Sequence, residues 1–111
     1  MPSSDYPHPN PFDCKRIERA LKERGRYQYV TPRVVPDGED HGYRVESPCC
    51  SRNVEPSGGV IDIALFKFSR PHWLLYRKDH EYSTWVLHSV TDTLNEALEI
   101  LLPDRERVFW P

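Results

Sequence analysis

Val60-Ile61-Asp62-Ile63-Ala64-Leu65-Phe66-Lys67-Phe68 decides how the rest of this chain is read. Its β-branched and aromatic residues favour a strand, yet polar and apolar positions do not alternate. With a two-residue period, Val60, Asp62, Ala64, Phe66 and Phe68 point one way, and Ile61, Ile63, Leu65 and Lys67 the other. Both faces are mostly apolar, so both need covering, and the segment reads as a central strand between two dry layers. Helices can cover one side. A second element or a second subunit is then required on the other, and a homodimer is the expectation that follows.

Working outward, Ser69-Arg70-Pro71-His72 is a tight turn into strand 73–78, and Asp79-His80-Glu81-Tyr82-Ser83 turns again into strand 84–89. Upstream, Pro48 to Gly59 is a loop, Tyr43-Arg44-Val45-Glu46-Ser47 a strand, and residues 36–42 a turn. The strand before that turn runs from Tyr27 through Val35 and is interrupted by Pro32, which cannot donate to a ladder, so it belongs at an edge.

Helices bracket the sheet. Asn10 suits an N-cap, Pro11 the first helical position and Asp13 the positive end of the dipole. Cys14, Ile17 and Leu21 follow at helical spacing, and Gly25 supplies a stop. Phe12 to Arg26 carries six basic and three acidic side chains, a basic outer face. Thr93-Leu94-Asn95-Glu96 has the capping-box pattern, with Leu94, Leu98 and Leu101 on one stripe and Pro103 ending the helix. Val108-Phe109-Trp110 is expected to dock back, because three large apolar side chains gain from leaving water. The fold class is therefore α+β: an N-terminal helix, a five-stranded antiparallel meander and a C-terminal helix, with the helices packed on one face. Pro2, Pro7, Pro9 and Pro11 make residues 1–11 a flexible, extended tail ahead of one domain spanning 12–111.

Composition bounds the function. At 111 residues and 13.1 kDa the chain holds one domain with a thin core. Its net charge of −2 and pI near 6.2 weigh against nucleic acid. No apolar run reaches membrane length and the start lacks a signal core, so no membrane partner is expected. Three cysteines are an odd number and too few for a disulfide framework, which points to free thiols in the cytoplasm.

Four groups of residues could carry chemistry. Asp62, in a run of apolar neighbours, needs a partner. Hairpin register puts Ala64 opposite Arg77, so Asp62 falls diagonal to Arg77, with Trp85 able to stack on the guanidinium and His80 at the strand end. The bland alternative is a structural ion pair. Cys49 and Cys50 form a second group, with Arg52 able to lower a thiol pKa and His41 a distant ligand candidate. Adjacent cysteines diverge and rarely share one tetrahedral ion, which favours an inert turn over a metal- or thiol-dependent protein. His72 and His80 lie at opposite ends of strand 73–78 and cannot share a site. Arg70, Trp73, Tyr76, Arg77, Lys78, Tyr82 and Trp85 interleave bases and aromatics as a single-stranded nucleic-acid binder would, although core packing explains most of those rings. No motif calls for a cofactor. A non-enzymatic module for a protein or small ligand is the leading reading.

Ser47-Pro48-Cys49-Cys50-Ser51-Arg52-Asn53-Val54, Gly58-Gly59, Ile61-Asp62-Ile63-Ala64, residues 73–80, Trp85-Val86-Leu87-His88 and residues 104–110 together resemble a family of small bacterial proteins classed as a domain of unknown function. The resemblance covers about residues 12 to 111. It implies a bacterial, cytoplasmic, stand-alone domain and brings no activity or cofactor with it.

Overall fold

The computed structural model describes residues 8–22, 32–38, 41–48 and 59–110. Helix α1 (Pro11–Lys22) leads into strands β1 (Arg33–Asp37), β2 (Gly42–Pro48), β3 (Val60–Ser69), β4 (His72–Asp79) and β5 (Thr84–Thr91), and helix α2 (Leu94–Leu101) follows. The strands form one antiparallel sheet in the order β1-β2-β3-β4-β5, the expected meander. Residues 27–31 of the expected first strand lie outside the described residues.

Both helices form where their caps were anticipated. The Asn10 side-chain oxygen accepts the Asp13 N–H at 2.9 Å, and Ile17 and Leu21 enter the core from α1. Thr93 accepts the Glu96 N–H at 3.1 Å, and Leu94, Ala97, Leu98 and Leu101 are buried. The expected tail gives way to structure sooner than residue 12. His8 and Asn10 already pack against the body, and Pro11 opens the helix.

The two-layered reading of β3 requires correction. Val45 pairs with Ala64, but its neighbour Glu46 pairs with Asp62, which leaves Ile63 as an extra residue in a β-bulge. The bulge shifts the side-chain phase by one. Ile61, Ile63, Ala64 and Phe66 therefore all join the cluster beneath the helices, with Phe68 packed against it. Asp62, Leu65 and Lys67 are left on the opposite side. The main dry layer lies on one side, and Leu65 is the buried apolar side chain that β3 leaves on the other.

That single core gathers Val34, Tyr43, Val45, Trp73 and Leu75 from the sheet, with Phe109 and Trp110 docking as expected. Trp110 donates its indole N–H to the Leu101 carbonyl at 3.1 Å. Gly42 is required by close approach: a Cβ there would meet the Phe66 carbonyl oxygen at 2.3 Å. No described helix is long and apolar enough to cross a membrane.

Ile63→Ala should behave as a core truncation, costing about 2–5 kcal/mol in urea denaturation. Deleting Ile63 removes the bulge and lets plain alternation keep Asp62 opposite Glu46 and Ile61 opposite Ser47, so it should cost about as much as Ile63→Ala. A deletion far more destabilising than Ile63→Ala would refute the phase-shift account. Gly42→Ala should cost about 1–3 kcal/mol in the same assay.

Candidate functional site

The sheet face turned away from the helices is built from three cross-strand rows. Val35, Arg44, Leu65, Tyr76 and Leu87 stand side by side in register across all five strands. Asp37, Gly42, Lys67, Leu74 and Val90 form a parallel row on one side of them. On the other side, Arg33, Glu46 and Asp62 continue through Lys78 to Trp85. Leu65 is buried at the centre of this face, outside the main core, flanked by Arg44 and Tyr76. Long amphipathic side chains cover apolar surface here while their charged heads stay near water.

Charge on this face is layered. Arg33 pairs with Glu46, and Arg44 reaches Asp37 at 3.6 Å, Glu46 at 3.7 Å and Asp62 at 3.3 Å. The Arg44 Nε–Asp62 approach is an ion pair angled away from hydrogen-bond geometry. Arg33 is 70% exposed at its side chain while its partner Glu46 is 12% exposed, so the guanidinium rides above the carboxylate. Lys78 holds the other Asp62 oxygen at 3.4 Å and sits 4.8 Å from the Trp85 ring centre. Lys67 stands likewise 5.1 Å over Tyr76. Beside these pairs Leu87 and Val90 are 48% and 54% exposed on the last strand.

The anticipated Asp62–Arg77 pair does not form. Arg77 lies opposite Ala64 on the helix side, and the Ile63 bulge turns Asp62 to the other side. Arg44 and Lys78 take the place assigned to Arg77. Trp85 does reach the Asp62 cluster, carried there by Lys78 rather than by a stacked guanidinium. His80 borders the cluster too. Burial, helped by the Lys78 charge, pushes its pKa down, while Asp62 and Asp79 pull the other way. His72 is remote from it, at the opposite end of β4 beside Asp92 at 3.2 Å.

Cys49, Cys50 and Arg52 lie outside the described residues. His41 is exposed in the β1–β2 turn with φ of 52°. Among the described residues no three histidine, cysteine, aspartate or glutamate side chains converge as a metal site. Cys14 is a free thiol whose pKa burial pushes up, with Glu18 adding to the shift.

Two further polar assemblies escaped the sequence reading. A second bulge, at His88 between the Leu75–Ser89 and Tyr76–Leu87 pairs, turns the His88 ring onto Phe109 at 4.9 Å. A cleft of about 450 Å³ opens there, bordered by Glu96, Glu99, Arg105 and Glu106. Asp104 lines it but is spent on structure: its carboxylate accepts the Val108, Phe109 and Trp110 amides at 2.9–3.3 Å. Near α1, His8 Nδ1 lies 2.8 Å from the Tyr43 hydroxyl, which also accepts the Asn10 N–H at 2.9 Å. Burial raises the Tyr43 pKa well above the ordinary phenol value. The signal for Asp104 was its place four to six residues before a docking apolar end. Nothing local marks the His8–Tyr43 pair.

These features define a small α+β module with a helix-covered core and a charged, partly apolar outer sheet face. The chain belongs to the family described as Domain of unknown function (DUF3024), whose model matches residues 6–111. No curated protein and no solved structure matches it.

A double-mutant cycle checks the regrouped cluster. Asp62 and Lys78 should couple by about 0.5–1 kcal/mol in denaturation, and Asp62 and Arg77 by about zero. The reverse ranking would restore the original pairing. Asp104→Ala should cost about 2–3 kcal/mol and red-shift tryptophan emission, because three amides lose an ionised acceptor.

Proposed function

We propose that this chain is a non-catalytic protein-binding module whose ligand surface is the outer sheet face. Its occupant is a segment of another protein that carries carboxylates interleaved with apolar side chains. The carrying observation is the mixed chemistry of this one face: exposed Arg33 pairs with sunken Glu46 at the β1 edge, Arg44 links Asp37 and Asp62, and Leu87 and Val90 stand exposed on β5 at the far edge. Four cations, Arg33, Arg44, Lys67 and Lys78, share the face with three acids, Asp37, Glu46 and Asp62. An acidic partner meets complementary charge there and buries the aliphatic patch.

Single-stranded nucleic acid is the weaker reading. Stacking needs open ring faces, and one face each of Tyr76 and Trp85 already holds a lysine. The net charge of −2 adds no attraction for phosphates. A bacterial, cytoplasmic setting belongs to the same proposal: the family resemblance implies the first, and the odd cysteine count and the free Cys14 thiol support the second.

A random peptide library displayed on phage and selected on the full chain tests this. Enriched peptides should alternate Asp or Glu with Leu or Phe. Arg33→Glu and Leu87→Asp, both at exposed positions, should each weaken a recovered peptide by about tenfold or more. Absence of enrichment, or binding indifferent to both variants, overturns the proposal. Salt-sensitive binding of an oligothymidylate with no peptide selected would reassign the face to nucleic acid.

A further inference from the structure

The segment ahead of α1 meets the sheet through the Asn10 amide and through one buried ring, that of His8. His8 is 7% exposed at its side chain and lies over an aromatic floor. Trp73 meets it at 5.2 Å and 80°, Phe68 at 4.9 Å and Tyr43 at 5.8 Å between ring centres. Its Nδ1 faces two groups able to donate, the Tyr43 hydroxyl at 2.8 Å and the Asn10 amide nitrogen at 3.4 Å. That network assigns the proton of the neutral ring to Nε2, which is buried with no hydrogen-bond partner.

The geometry points to a pH-released strap: residues 8–10 stay on the sheet while His8 is neutral and come off when it takes up a proton, baring the Tyr43–Phe68–Trp73 patch. A second proton on the docked ring would have to go on Nδ1, where both neighbours are arranged as donors. Among the described residues few charged groups face His8. From α1 comes Asp13, 3.7 Å from Nδ1. Its carboxylate is already shared between Arg16 and the Asn10 amide, each at 3.0 Å. β2 supplies the Tyr43 hydroxyl, and β3 and β4 supply only the uncharged rings of Phe68 and Trp73. Burial accordingly lowers the His8 pKa from its ordinary value of 6.5, against a weaker pull from Asp13.

The sign follows from linkage. The released state binds a proton near the ordinary histidine pKa, and the docked state only at lower pH. Docking is therefore intact above about pH 6.5 and weakens as pH falls from there to the docked-state pKa.

Amide hydrogen exchange on the full chain, read as protection factors at about pH 7.5 and about pH 5, tests the strap. The Asn10 amide, which donates to Tyr43, should lose protection about tenfold over that range while Leu65 in β3 keeps its own. His8→Phe, which fills the site without titrating, should abolish the loss. Unchanged Asn10 protection at the lower pH, or an equal loss in His8→Phe, overturns the inference. Should that variant not fold, NMR titration of the His8 ring in the native chain decides. A pKa clearly below 6.5 upholds the strap, and one at or above it sinks it.

Discussion

Everything in this molecule depends on where the side chains of β3 point, and one inserted residue governs that. A strand with perfect alternation would split its large apolar side chains between two surfaces and demand a cover on each. The bulge at Ile63 moves the phase by one residue, so Ile61 and Ile63 join Ala64 and Phe66 under the helices. A chain of 111 residues has little apolar surface to spend on a second core. Concentrating it on one side lets two short helices and the docked Phe109 and Trp110 complete the interior. The same shift releases Asp62 to the other side, where water and two cations satisfy it without the cost of burial.

Much of the architecture was legible in the residues. The caps at Asn10 and Thr93, the β3–β4 register from Ser69 opposite His72 to Ala64 opposite Arg77, and the returning C-terminal aromatics all follow from local chemistry. These are short-range rules with strong residue preferences. The bulges were not legible. An extra residue in a strand leaves no compositional mark when it is an isoleucine or a histidine, and its position is set by the neighbouring strand. One unseen bulge was enough to place Asp62 on the wrong face and to assign it Arg77.

The candidate surface was half visible for the same reason. Asp62, Trp85 and His80 do lie near one another, but around Lys78 on the outer face, whereas the sequence reading grouped Asp62 and Trp85 with Arg77, which faces the helices. Arg44 was missing because β2 was never registered against β3. The His8–Tyr43 contact joins residues 35 positions apart, a separation at which local pattern says nothing. Asp104 shows the converse: its carboxylate binds backbone of the next few residues, a purely local device concealed by an irregular segment.

The second bulge has a consequence for how this sheet meets its surroundings. A foreign strand growing onto β5 would need an unbroken ladder, and the kink at His88 interrupts it midway along the margin. At the far margin Pro36 withholds an amide from any newcomer to β1. Both borders thus discourage stacking into fibrils or strand exchange between copies. The proposed binding surface lies between these two rims, on the outer face.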